Sequence, residues 1–110
     1  MKDGIYAVVF ESHRGAFGEG IAVVSGGRVH GGDMGFTCRG RFSGESLTLD
    51  VRQYNPAIPS TLGMKGDYVL EMRGVDSGDG GYRFTGYVRG YPDSRLNARA
   101  QYLGPLLDAE

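Results

Sequence analysis

The side chains best suited to metal or nucleophile chemistry are His13, His30, Asp33 and Cys38. A tetrahedral zinc site draws on His or Cys ligands in close pairs that one turn or strand can aim at a single point. These residues form no such pair and fall on different expected elements, so no metal is expected. Cys38 is the single cysteine. No histidine lies beside it in sequence to take its proton, and no nucleophile-elbow pattern surrounds a serine. Asp76-Ser77-Gly78-Asp79-Gly80-Gly81 is acidic like a calcium loop, but it lacks alternating ligand positions and a closing glutamate, and it reads as a hairpin turn. Gly15-Ala16-Phe17-Gly18-Glu19-Gly20 is glycine-rich, yet it precedes a strand and has no lysine to grip a phosphate. The expectation is a non-enzyme without a cofactor.

What remains is recognition chemistry. Arginine outnumbers lysine ten to two, and Arg39, Arg41, Arg52, Arg73, Arg83, Arg89 and Arg99 all fall on polar faces of alternating segments. A guanidinium makes planar, bidentate contacts with carboxylates. The arginines are therefore either a solvated exterior paired with Asp50 and Glu71, a weak source of stability, or a docking face for an acidic partner. A net charge of −1 argues against a nucleic-acid backbone held by bulk charge. Seven tyrosines and five phenylalanines raise base stacking on a strand face as an alternative. Phe36, Phe42, Tyr68, Tyr82, Phe84 and Tyr102 take the inward positions of their segments instead, as core or as the lining of a cavity.

The elements that must position these residues are strands. Gly18 to Ser25 and Arg28 to His30 flank Gly26-Gly27, the residue type a two-residue type I′ hairpin turn requires. Such a hairpin is too small to stand alone, and the remaining segments supply its neighbours. Gly4 to Phe10 is apolar on both faces, with one side free to meet a partner, and Glu11 to Ala16 is a loop. Gly31 to Met34 is a turn. Gly35 to Phe42 places Phe36, Cys38 and Phe42 on one face with Gly40, opposite Thr37, Arg39 and Arg41. After Ser43-Gly44-Glu45-Ser46, Leu47, Leu49 and Val51 alternate with Thr48, Asp50 and Arg52.

Pro56 and Pro59 exclude a central strand from Tyr54 to Gly63. That long connection is expected to hold one helical turn from Ser60, stopped by Gly63, with Ile58 and Leu62 plugging an open end of the sheet. Gly66 to Arg73, Tyr82 to Arg89 and Arg95 to Leu103 complete the set. Val75 to Gly81 is a loose turn and Tyr91-Pro92-Asp93-Ser94 a type I turn. Pro105 ends the last strand, and the acidic tail from about 104 is expected to fray.

The fold class is thus all-β, an eight-stranded antiparallel barrel with at most one short helical turn, built as one domain over residues 1–110. Closure removes both sheet edges, and Gly20, Gly40 and Gly86 fall mid-strand where curling needs relief. No run is long enough for a membrane helix, the N-terminus lacks signal-peptide features, and the lone cysteine suits a reducing compartment. The cytoplasm is the expected location.

Several pieces in order resemble the GrlR-type negative regulators of type III secretion. They are Met1-Lys2-Asp3-Gly4-Ile5-Tyr6, Gly18-Glu19-Gly20-Ile21, Gly31-Gly32-Asp33, Tyr54-Asn55 with Ile58-Pro59-Ser60, Asp67-Tyr68 and Val88-Arg89-Gly90. The resemblance implies a lipocalin-like barrel that dimerises, lacks catalytic residues and restrains a transcriptional activator. It also implies an acidic contact run between the fourth and fifth strands, where this chain has only Glu45. Two readings stay open. One is a regulator that docks its partner mainly through Arg39, Arg41 and Arg52, with Glu45 the remnant of the family loop. The other is a small carrier whose barrel, lined by Phe36, Leu49, Leu70, Phe84 and Tyr102, holds an apolar ligand.

Overall fold

The computed structural model describes residues 1–107. The acidic residues of the tail, Asp108 and Glu110, lie outside the described residues. Eight strands run β1 (Gly4–Ser12), β2 (Phe17–Ser25), β3 (Arg28–Gly32), β4 (Phe36–Ser43), β5 (Ser46–Gln53), β6 (Tyr68–Asp76), β7 (Gly81–Val88) and β8 (Tyr91–Gly104). Each pairs antiparallel with the next, and β1 pairs with β8 to close a barrel. Every strand therefore has two neighbours, and no edge runs the height of the sheet.

Inward positions hold the core: Tyr6, Val24, Val29, Phe36, Leu47, Val51, Leu70, Met72, Phe84, Val88, Leu96 and Ala100 are buried. The alternation in β4 to β8 faces as the sequence indicates. The mid-strand glycines also have a physical cause. A Cβ on Gly20 would lie 2.5 Å from the Gly32 carbonyl oxygen, and one on Gly40 would lie 2.9 Å from the Thr48 carbonyl carbon. At Gly86 it would lie 2.8 Å from the Met72 Cα. Neighbouring backbones close in on these bare positions, which is how so narrow a sheet curls. At the β2–β3 turn both Gly26 and Gly27 have positive φ, 58° and 75°, as a type I′ hairpin demands.

Several boundaries differ from the sequence reading. β1 continues through Glu11 and Ser12, β3 through Gly31 and Gly32, and β6 through Val75 and Asp76. Tyr91 to Ser94 is not a turn. Arg89 and Gly90, the latter at φ 84°, make a tighter one, and β8 starts at Tyr91. Val88 pairs with Tyr91 while Tyr87 pairs with Arg95, so Pro92, Asp93 and Ser94 bulge out where no ladder donor is required of the proline.

The antiparallel order puts the turns at 13–16, 33–35 and 89–90, with the long connection 54–67, at one end of the barrel. That connection forms no helix. Gly63 N–H bonds Ser60 O at 3.0 Å in a single turn that ends at φ 72° on Gly63. It lies across the barrel end: Leu62 is buried in the core, Ile58 packs against Gly35, and Gly63 meets the Arg14 guanidinium. Among the described residues no helix is long and apolar enough to cross a membrane.

Candidate functional site

The interior is not filled. An apolar cavity of about 340 Å³ runs within the barrel, bounded by Val8, Phe10, Val29, Phe36, Cys38, Leu49, Leu70 and Phe84 among others. That volume is at the lower end for small-molecule sites, and roughly twice an engineered 150 Å³ cavity that holds benzene. Of the side chains expected to line it, Phe36, Leu49, Leu70 and Phe84 do so. Tyr102 points inward but stands at the end nearest the N-terminus. There its ring packs edge-on against Tyr6 at 5.5 Å, beneath the Lys2 ammonium at 3.9 Å. Tyr6 donates its hydroxyl to the Lys2 carbonyl at 2.7 Å, and burial together with Tyr82 pushes its pKa to about 12. The aromatic cluster closes that end.

At the opposite end the wall is incomplete. β2 pairs with β3 only from Ile21 to Ser25, so Phe17 to Gly20 have β1 alone as a ladder partner. A slot lies between this segment and the β3–β4 turn, with Phe17, Glu19, Asp33 and Met34 among the residues lining the cavity there. Phe17 and Met34 are 69% and 77% exposed. Asp33 shapes the turn: its Oδ1 accepts from Gly35 N–H and Phe36 N–H, both at 2.8 Å. The Tyr54 hydroxyl donates to the Asp33 carbonyl, tying the long connection to the same corner. Gly18 and Gly20 face inward here, and their missing side chains admit the Phe10 ring and the end of β3, so the slot lies beyond Gly20 along Phe17 to Glu19.

The residues with metal or nucleophile chemistry stay apart. His13 is in the β1–β2 turn, His30 is exposed on the outer face of β3, Asp33 is in the next turn and Cys38 faces inward. Among the described residues no three His, Cys, Asp or Glu side chains are placed to share a metal ion. The Cys38 thiol is pushed up to about 11, chiefly by burial and then by Asp33. The acidic 76–81 segment is a hairpin turn that uses its own carboxylates. Asp76 Oδ1 accepts from Gly78 N–H at 2.8 Å, and Asp79 Oδ1 accepts from the Ser77 hydroxyl at 2.7 Å and from Gly81 N–H at 3.2 Å. The bonds from Ser77 and the Gly81 amide hold Asp79 below the usual carboxylate range.

On the outside, Arg39, Arg41 and Arg52 share one face of β4 and β5, and β3 adds Arg28 and His30, which sequence reasoning missed. Arg28 sits directly opposite Arg41, and elsewhere Arg83 opposes Arg99. Like charges in register cost stability, so these pairs serve no packing need. Arg39 is in register with Asp50, but the described ion pair is Arg89 with Glu71 at 2.8 Å. Glu45 is exposed at the tip of the β4–β5 turn, where its carbonyl accepts from Gly74 N–H at 2.8 Å.

A closed eight-stranded barrel around an apolar cavity, capped by its one long connection, is the architecture of the small up-and-down β-barrels. The comparison with protein families is more specific. The chain belongs to the GrlR family, described as a T3SS negative regulator, whose model matches residues 1–106. No curated protein matches it.

Proposed function

We propose that the protein is a non-enzymatic, cytoplasmic regulator, a single barrel domain that binds and restrains a protein partner such as a transcriptional activator of type III secretion genes. The family match over residues 1–106 carries this reading. The partner docks mainly on the β3–β5 arginine face. Two in-register guanidinium groups at Arg28 and Arg41 repel one another until an acidic surface is brought against them. The protein acts as a homodimer, and the exposed apolar side chains on the outer face of β1 and β2, such as Val9 and Ile21, support that part of the reading.

The test is titration of the activator from the same secretion system against variants of this protein. The double variant Arg39→Ala with Arg41→Ala is expected to weaken binding at low salt and to flatten its salt dependence. Glu45→Ala is expected to leave binding near the parent. Loss of binding with Glu45→Ala alone would show that the short turn has kept the contact and that the arginine face is not the dock.

A second reading is favoured by one observation, the apolar cavity of about 340 Å³. In it the barrel carries or senses an apolar ligand. Native mass spectrometry of protein purified from its host checks it, with a bound mass expected and a bare barrel the contrary result.

A further inference from the structure

We propose that the cavity takes a single-chain amphiphile with a cationic head, a long-chain amine or quaternary ammonium, that enters by the slot beside β2. This inference rests on the ligand-binding reading. The tail has a place: the cavity is apolar along its length, and an alkyl chain in it exchanges water for close side-chain contact. The entrance also has a place, because Phe17 to Glu19 lack a β3 partner beyond the point where the end of β3 closes on Gly20.

The charge at the entrance selects the head. Glu19 and Asp33 are the charged side chains among the described lining residues, both are acids, and both stand at the slot. Among the described residues no arginine, lysine or histidine side chain lines the cavity. Asp33 spends Oδ1 on two backbone amides, which leaves Oδ2 to face a cation. The exposed ring of Phe17 offers its π face to the same head group. A fatty-acid carboxylate would instead meet two like charges where its tail enters the barrel, and a neutral alcohol would gain from neither.

The probes are dodecyltrimethylammonium, dodecanol and dodecanoate, each below its micelle concentration, titrated by calorimetry. The ammonium should bind at least about tenfold more tightly than the carboxylate, since two nearby charges act on each head with opposite sign. Glu19→Gln with Asp33→Asn should bring the two charged probes to within about threefold of each other while leaving dodecanol unchanged. Asparagine keeps the Oδ1 acceptor, so the turn stays folded, and a cooperative melting curve within about 4 °C of the parent's verifies it. Saturating ammonium probe should slow labelling of Cys38, which lines the cavity, by N-ethylmaleimide. Dodecanoate binding as tightly as the ammonium would overturn the head-group assignment and leave the ligand-binding reading standing. Binding that fails to protect Cys38 would overturn the placement of the tail. No binding by any probe would sink the ligand-binding reading and this proposal together.

Discussion

Replacing Gly40 by alanine tests the idea that the barrel closes by pressing backbones onto bare strand positions. In a strand, Gly→Ala should stabilise by roughly 0.4–1 kcal/mol, because the unfolded chain loses freedom. At Gly40 the new methyl would lie 2.9 Å from the Thr48 carbonyl carbon and 3.0 Å from Leu49 Cδ2, and it would overlap the Thr48 carbonyl oxygen. Carbon atoms at rest keep about 3.5–4.0 Å, so β5 must retreat by roughly 0.5–1 Å at a point where its backbone is fixed by ladders on both sides. Overpacking of this kind costs about 1–3 kcal/mol, and after the gain is subtracted the net effect is a destabilisation of about 1.3 kcal/mol. For 110 residues the unfolding entropy is roughly 0.23 kcal/mol/K, so the melting temperature should fall by about 6 °C. The chain has no tryptophan, so urea unfolding is followed by circular dichroism. Gly104→Ala is the control, since a Cβ there meets nothing within 4 Å. A Gly40→Ala protein within about 0.5 kcal/mol of the parent would refute the reasoning.

Asp33→Ala leaves the Gly35 and Phe36 amides without their acceptor and should cost about 2–4 kcal/mol in urea titrations, while Asp33→Asn should cost about 1 kcal/mol or less. Cys38, with its thiol held neutral up to about pH 11, should label slowly in the folded protein at pH 8 and roughly tenfold faster per pH unit above that. Fast labelling at pH 8 in the absence of denaturant would place the thiol outside the barrel. Tyr6 stays protonated to about pH 12 when folded but ionises near 10 when unfolded, so the unfolded state releases its proton first. Stability from this group is full below pH 10 and falls between pH 10 and 12. Tyr6→Phe should flatten that part of the alkaline stability curve while lowering stability at neutral pH.

The fold was legible because each strand from β4 to β8 alternates, and alternation fixes which face meets the core. Leu47, Leu49 and Val51 cannot be turned outward without exposing all three. Strand ends were less legible, and for a local reason. The dipeptide Tyr91-Pro92 carries a turn signal, but Gly90 can adopt φ 84° and makes the turn first, after which the proline is accommodated in a bulge. In the same way Gly31 and Gly32 read as turn residues, yet they continue β3. A Cβ on Gly31 would lie 2.5 Å from the Ile21 carbonyl oxygen, so these glycines admit a neighbouring strand rather than reverse the chain.

The candidate sites were legible only where they follow from alternation within one strand. Phe36, Leu49, Leu70 and Phe84 take inward positions of their own segments, and so reach the cavity wherever the barrel closes. The slot depends instead on a difference in length between strands: β2 begins at Phe17, while its pairing with β3 starts at Ile21. Nothing in either segment alone states that offset; it arises from where the β2–β3 hairpin sets the register. Glu19 and Asp33 lie fourteen positions apart in the sequence and meet at the slot only because Ile21 pairs with Gly32. Arg28 comes opposite Arg41 through a separate register, that of β3 on β4, which the turn at 33–35 sets. The acidic pair at the slot depends on the turn at Gly26-Gly27, whose positive φ angles set the register of β2 on β3. A side chain there would strain the turn, and a one-residue slip would move Glu19 from the outer face to the inner one.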